Sequence, residues 1–287
     1  LLANDVLVFH IRAHALNFLD AVAATLEARV DLDRLCVDRG GHRTWVRHVP
    51  ISVPTDEIAD HTQRTASIAA VAALRRELGL ADGDVVGLGV DRLDYTKGIP
   101  ERLEALECLL ERHPEWIGKL VFAQIGVPSR IELPEYRAVR VRVHRLARRI
   151  NGRFPRRGGD TVHLVESNLG FDELVPWYAL ADFCAVTSLH DGMNLVAKEY
   201  VAACHDDVGA LVLSPFTGAA RELERAFLAS PYDREGLAEA MHAALSEEPT
   251  ARAARMHALR DVVSRRNIYD WAIEVLDTID QLALRKT

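Results

Sequence analysis

From Val85 onward, short apolar runs alternate with segments of helical periodicity, a pattern that few folds accommodate. The strand candidates are Val85 to Val90, Lys119 to Ile125, Thr161 to Val165, Phe183 to Thr187 and Ala210 to Leu213. Between them lie helix candidates at Ile99 to Arg112, Leu133 to Ile150, Asp172 to Ala181, Leu195 to Ala203 and Gly218 to Ala226. Such alternation builds right-handed βαβ units on a parallel sheet. Further helices follow at Asp233 to Ser246, Thr250 to Arg265 and Ile268 to Leu284. The expected architecture is therefore α/β, with a doubly wound domain over residues 81–265 and a carboxy-terminal helix over 266–287.

The first part of the chain reads differently. Val6 to Ile11 is a short strand leading into a helix from Arg12 to Glu27, where Leu16, Phe18, Leu19, Val22 and Leu26 recur at helical spacing. Leu32 to Val37 and Thr44 to Val53, joined around Gly40-Gly41, read as a hairpin. Pro54 and a polar stretch through Arg64 separate this part from a helix ending near Gly79, and Ala81 to Asp84 form a turn. Residues 1–60 are thus expected to be the tail of another domain and 61–80 a linker helix. The chain opens Leu-Leu-Ala-Asn-Asp, with neither an initiator Met nor a signal-peptide pattern, as expected of a piece of a longer protein.

Composition narrows the partners. At 49% hydrophobic and 27% charged residues the chain is globular, not disordered, and its net charge of −7 argues against a general nucleic-acid binder. No apolar run approaches the roughly 18 residues of a membrane span, so a cytoplasmic protein is expected. Cys36, Cys108, Cys184 and Cys204 lie far apart without CxxC pairs and read as buried free thiols.

In open parallel sheets, ligands bind beyond the carboxyl ends of the strands, and two unusual segments fall there. After the first strand comes Val90-Asp91-Arg92-Leu93-Asp94-Tyr95-Thr96-Lys97-Gly98-Ile99-Pro100. A guanidinium and an ammonium five residues apart suit two phosphate oxygens. The same loop also fits a solvated turn in which Asp91 and Asp94 pair with Arg92. Lys97 stands out because the chain has only four lysines, Lys97, Lys119, Lys198 and Lys286.

The second segment, His190-Asp191-Gly192-Met193-Asn194-Leu195-Val196-Ala197-Lys198-Glu199-Tyr200, follows the strand ending at Thr187. An Asp-Gly turn into a helix presents free backbone N–H groups and the positive end of the helix dipole. Asp191 and Glu199 lie eight residues apart, about 12 Å along a helix. That separation suits carboxylates at the two ends of a nucleotide sugar, hexose and ribose. A capping Asp191 and a surface Glu199–Lys198 face is the alternative.

Together these segments resemble the trehalose-6-phosphate synthase family of retaining glycosyltransferases, which have the two-domain GT-B fold. The resemblance rests on Arg-Leu-Asp-Tyr-Thr-Lys-Gly at 92–98, Arg-Ile-Asn-Gly-Arg at 149–153 and Asp-Gly-Met-Asn-Leu-Val-Ala-Lys-Glu-Tyr-Val-Ala at 191–202. Leu-Val-Leu-Ser at 211–214 and Ser-Pro-Tyr-Asp at 230–233 add to it, and it runs from about Leu1 to Ile279. It implies that residues 1–60 belong to the acceptor-side, amino-terminal Rossmann-like domain and 81–265 to the nucleotide-sugar domain. It further implies that Arg92 and Lys97 bind the donor diphosphate and take up charge as the leaving group departs. Asp191 would hold hexose hydroxyls, aided by the backbone of Gly192, Met193 and Asn194. The amides of Leu195, Val196, Ala197 and Lys198 would meet the diphosphate and ribose, and Glu199 the ribose hydroxyls. Arg130 would reach the acceptor phosphate, and the backbone around Leu169 the nucleobase. Arg92, Lys97 and Asp191 are the expected catalytic set.

The implied reaction moves glucose from UDP-glucose to glucose-6-phosphate, giving trehalose-6-phosphate without metal or other cofactor. Glucosylglycerol-phosphate synthase and a non-catalytic nucleotide-sugar binding module are the alternatives. The family's glycine-rich donor loop and most of its acceptor pocket lie upstream of the matched part. This chain is therefore expected to bind the donor without transferring glucose. The oligomeric state, a homo-oligomer included, is left open. His190 stands where the family has Arg, and Ser214-Pro215-Phe216-Thr217-Gly218 replaces Ser-Glu-Phe-Ala-Gly.

Other signals lead elsewhere. Arg137 to Arg157 holds nine arginines in 21 residues, but Val139, Val143, Leu146 and Ile150 mark an amphipathic helix with a solvated basic face and Glu107 and Glu111 as available partners. His10 and His14 have helical spacing without an acidic third ligand. Glu107, Glu173 and Glu222 read as helix-face carboxylates without a motif.

Overall fold

The computed structural model describes residues 1–65, 68–204 and 208–283. Residues 66–67 of the expected 61–80 helix, and the expected helix end at Leu284 with the rest of 284–287, lie outside the described residues. The chain divides into two compact units, residues 1–54 with 265–287 and residues 55–264. The first unit therefore takes in the carboxy-terminal helix, and the second begins at Thr55.

The first unit holds β1 (Val6–Phe9), α1 (Arg12–Thr25), β2 (Arg29–Asp31), β3 (Cys36–Arg39), β4 (His42–His48) and, from the chain's end, α10 (Ile268–Ala283). Its sheet runs β1-β4-β3-β2, with β1 parallel to β4 and the other pairs antiparallel. The Gly40-Gly41 hairpin is present, but its first strand starts at Cys36 because Leu35 takes a left-handed φ of 54°. Ala15, Leu19 and Val22 of α1 pack on Val37 and Val46. Leu282 of α10 packs with Cys36 and Trp45.

The second unit opens with α2 (Thr55–Thr65) and α3 (Ile68–Glu77), where a polar separator precedes the helix expected from sequence. There follow β5 (Val85–Arg92), α4 (Ile99–Arg112), β6 (Leu120–Val127), α5 (Pro134–Arg153), β7 (Val162–Val165) and α6 (Phe171–Leu180). The chain continues through β8 (Phe183–Val186), α7 (Leu195–Ala203), β9 (Leu211–Leu213), β10 (Phe227–Leu228), α8 (Arg234–Ser246) and α9 (Pro249–Arg265). The six strands are all parallel, in the order β10-β9-β8-β5-β6-β7.

Near-continuous apolar strands of this kind require cover on both faces. Leu103, Leu106 and Leu109 of α4 pack with Phe122 of β6, Val143 and Ile150 of α5, and Leu237 and Met241 of α8. Each such fully buried side chain contributes about 1.5–3 kcal/mol. The other face carries α6 and α7, backed by α2 and α3. The expected α/β class and doubly wound sheet are thus observed, and all four cysteines are buried and free.

One expected helix is corrected. Gly218 to Ala226 forms only a 3-10 turn at Gly218–Arg221, followed by β10. The Gly218 and Ala219 amides are taken by the carbonyls of Asp191 and Met193, and Glu222 turns inward to Lys198. These tertiary partners outweigh the helical propensity of the segment.

The basic face of α5 is largely paired with carboxylates. Arg149 and Arg153 bracket the buried Glu107, Arg153 also meets Glu111 at 2.7 Å, and Arg142 meets Glu101 and Glu104. Glu107 is therefore a buried partner and Glu222 a largely shielded one, not plain helix-face carboxylates, while Glu173 accepts from the Gly170 amide to cap α6. No helix among the described residues is long and apolar enough to cross a membrane.

Candidate functional site

The strand order reverses between β5 and β8, the point at which a doubly wound sheet opens a crevice at its carboxyl edge. The two strands pair only at Gly87–Phe183 and Leu88–Cys184. Beyond these pairs the chain leaves β5 into residues 93–98 and β8 into residues 187–194. The two sequence-predicted segments meet at this point.

Gly98 allows the approach. Its φ is +63°, and a Cβ there would lie 2.2 Å from the Thr187 carbonyl oxygen, which no other residue could tolerate without moving backbone. Across the contact, the Leu189 amide donates to Thr96 O at 2.7 Å and Thr187 Oγ1 donates to Gly98 O at 3.2 Å. Asp94 shapes the turn by accepting from the Thr96 amide and hydroxyl at 2.9 and 3.0 Å.

Lys97 Nζ then reaches Asp191 Oδ2 at 2.6 Å, with the two side chains 15% and 17% exposed. Asn194 Nδ2 donates to the same oxygen at 3.1 Å and to Ser188 Oγ at 3.3 Å, while the buried Asn194 Oδ1 has no hydrogen-bond partner among the described residues. Residues 191–193 are fastened from behind: the Asp191 amide donates to Phe216 O, and Gly218 and Ala219 donate back to Asp191 O and Met193 O. Gly192 lies in this fastened turn. Asn194 adopts a left-handed φ of 68° and its side chain does not cap α7, so among the described residues the amides at Leu195, Val196 and Ala197 begin a helix open to an acceptor.

The remaining predicted residues take distinct positions. Arg92 ends β5, 55% exposed, with Nη2 3.8 Å from Asp94 Oδ2. Asp91 does not pair with it. Instead Asp91 points inward to Arg102 of α4, whose Nη1 lies 2.8 Å from Asp91 Oδ2 and donates to Gln124 Oε1 at 2.8 Å. Arg102 Nε donates to Thr187 Oγ1 at 2.9 Å. Arg102 is fully buried, and a Cβ at Gly89 would lie 2.4 Å from its guanidinium. Burial pushes the Asp91 carboxyl up, opposed by the charges of Arg102 and Lys97.

Lys198 is also turned inward: its side chain is 2% exposed and 2.5 Å from Glu222, so only its backbone can face the crevice. Glu199 accepts from Tyr178 OH at 3.0 Å, and burial raises its pKa above the ordinary carboxylate range. Arg130, with a left-handed φ of 47°, donates to Tyr136 OH, and Tyr136 packs edge-on against Tyr95 beside Lys97. Arg130 is thus tied to the Lys97 turn through two rings and not by a direct contact. His190 is exposed at the loop tip, and Leu169 is half-buried just before α6.

Sequence reading missed Arg102, Thr187, Ser188, Tyr178 and Glu222. Arg102 alone carried a signal, because it falls in phase with Ile99, Leu106 and Leu109 on the buried stripe of α4.

Among the described residues, the donor atoms of His113, Glu115 and His242 lie within 4.8 Å of one another. The two imidazoles stack with centroids 3.6 Å apart and planes 5° apart, so their nitrogens do not converge on one point. Trp116 Nε1 donates to His242 Nδ1 at 3.1 Å, and Glu239 lies 3.3 Å from His113 Nε2. The group pins α8 to the chain just after α4.

A parallel sheet with charged side chains at its switch point and an open helix start is the arrangement that doubly wound α/β folds use to bind ligands. The model of glycosyltransferase family 20 matches residues 1–281, and the chain belongs to that family. It is 42% identical over 286 residues to a trehalose-6-phosphate synthase of Mycobacterium sp. (strain KMS), covering 97% of this chain and 58% of the relative. It superposes with a TM-score of 0.91 on a UDP-forming alpha,alpha-trehalose-phosphate synthase from Burkholderia xenovorans, at 32% identity over 98% of this chain and 62% of the other. An alpha,alpha-trehalose-phosphate synthase (UDP-forming) from Burkholderia xenovorans in complex with glucose-6-phosphate matches at a TM-score of 0.90 and 32% identity, over 96% of this chain and 60% of the other. An E. coli trehalose-6-phosphate structure bound with UDP-2-fluoro glucose matches at a TM-score of 0.88 and 33% identity, over 96% and 61% of the two chains. The chain spans about half the length of the curated relatives it matches.

Proposed function

We propose that residues 92–98 and 188–199 form the sugar-nucleotide site of a retaining glucosyltransferase that moves glucose from UDP-glucose to glucose-6-phosphate, giving trehalose-6-phosphate. The observation that carries this reading is the 2.6 Å Lys97–Asp191 contact beside the uncapped start of α7. It joins a cation suited to a diphosphate, a carboxylate suited to sugar hydroxyls and backbone donors suited to an anion. The names of the relatives support the substrates.

In this account Lys97 and Arg92 hold the donor diphosphate and stabilise the charge that grows as the sugar–phosphate bond breaks. Asp191 receives hexose hydroxyls, aided by the Gly192–Met193–Asn194 backbone and the unpartnered Asn194 Oδ1. Glu199 receives ribose hydroxyls, and Arg130 reaches the acceptor phosphate. These cations and amides supply the electrostatic work, so no metal is required. What this chain alone is proposed to do is hold the donor.

Before the donor arrives, Lys97 and Asp191 neutralise each other. An incoming diphosphate competes for Lys97 and frees Asp191 for the hexose. Asp191→Asn is therefore expected to leave UDP affinity unchanged or higher, while removing the extra affinity of UDP-glucose over UDP. Glu199→Gln is expected to weaken both ligands alike. Calorimetric titration of each variant with UDP and UDP-glucose distinguishes them, and equal losses of UDP affinity in the two variants would refute the division of roles.

A further inference from the structure

Glu199 is an expensive carboxylate to keep. It is largely withdrawn from water on α7, and among the described residues no lysine, arginine or histidine forms an ion pair with it. Its recorded side-chain partner is the hydroxyl of Tyr178, which donates to Oε2 at 3.0 Å. A buried charge without a counter-ion is ordinarily eliminated or paired. One that persists with a single neutral donor calls for a reason.

Tyr178 is built to hold still. Its side chain is fully buried on α6, and its ring packs edge-on against Tyr200 with centroids 6.1 Å apart. Tyr200 is itself fully buried, and its hydroxyl donates to Ala181 O at 3.1 Å. The phenol therefore approaches Glu199 from one fixed direction and engages one oxygen. Tyr178 engages Oε2 alone, and Glu199 as a residue is half-buried, so its carboxylate is not sealed inside the core. An ionised carboxylate has four lone-pair sites, and the Tyr178 bond uses one while fixing the plane of the rest.

We propose that Tyr178 is the positioning residue for Glu199 and, through it, sets the preference of the site for a ribonucleotide over a deoxyribonucleotide. This rests on the reading of Glu199 as the partner of the ribose hydroxyls. Held by Tyr178, Glu199 presents Oε1 to the sugar; released, the carboxylate rotates and its gain from the hydroxyls falls. The phenol touches no substrate atom and acts only through the carboxylate.

The test compares UDP with 2′,3′-dideoxy-UDP on the 287-residue chain and on its Tyr178→Phe and Glu199→Gln variants. Phenylalanine keeps the ring and its packing on Tyr200 and removes only the hydroxyl. We expect Tyr178→Phe to lower UDP affinity roughly five- to tenfold, the scale of one hydrogen bond, with dideoxy-UDP affinity unchanged within about twofold. Adding Tyr178→Phe to Glu199→Gln should then cause no further loss of the UDP preference. A full UDP preference in Tyr178→Phe, alongside a reduced one in Glu199→Gln, would overturn the positioning role alone. A full preference in Glu199→Gln would overturn the ribose assignment and the proposal with it. Equal losses for both nucleotides in Tyr178→Phe would mean the hydroxyl serves packing, which also overturns it.

Discussion

Replacing Lys97 with alanine is expected to weaken UDP binding roughly ten- to a hundredfold, the worth of a charge-assisted contact of about 1.5–3 kcal/mol. Lys97 is mostly shielded from water and held in place by its turn, so little ordering remains to be done when the diphosphate arrives. Its removal also leaves Asp191 as an unbalanced negative charge facing an anionic ligand. Arg92 is more exposed and only loosely associated with Asp94, so Arg92→Ala should weaken UDP in the same direction with the smaller effect. Calorimetry with UDP measures both, and a matched thermal melt shows that the variants are folded. Unchanged affinity in folded Lys97→Ala would remove Lys97 from the site.

The second large effect lies beneath the crevice. Arg102→Met should destabilise the fold by roughly 3–5 kcal/mol, because it strands the buried Asp91 without its cation. It also leaves Gln124 and Thr187 without their guanidinium donor. Protonating Asp91 removes the stranded charge. Because burial holds the folded-state pKa of Asp91 above its ordinary value, the folded variant gains relative stability as pH falls through that raised pKa. The penalty of Arg102→Met should therefore shrink in acid, and Asp91→Asn in the same chain should recover part of it. Urea denaturation of the two single variants and the double variant measures the coupling. Strictly additive losses with no pH dependence would show that Asp91 and Arg102 do not depend on each other.

The parts legible in the sequence were those with local causes. The bounds Ile99–Arg112 and Leu195–Ala203 were read correctly. In the first, Gly98 and Pro100 mark the start; in the second, the Asp-Gly turn precedes an uninterrupted helical run. The parallel sheet followed from apolar runs spaced by helices. Helix α2 was missed because few of its side chains are buried, Ile58 and Thr62 among them, so its stretch has the polarity of a linker. Thr55-Asp56-Glu57, an acidic first turn, was the available clue.

Within the site, Lys97 and Asp191 were named from motifs 94 residues apart, but their contact depends on the loops after β5 and β8 meeting at Gly98. Nothing local in the sequence joins Tyr178 to Glu199 or Lys198 to Glu222. Those pairs are created by helices and turns packing across distance. The inward turn of Asp91 depended on Arg102, whose place on the apolar stripe of α4 was visible but carried no motif.

On this reading the switch-point crevice of the chain holds a sugar nucleotide. Titration of UDP-glucose into the 287-residue chain tests it directly. Saturable binding of one equivalent is expected, displaced by UDP and lost together with UDP binding in Lys97→Ala. A folded chain that takes up neither UDP-glucose nor UDP would contradict it.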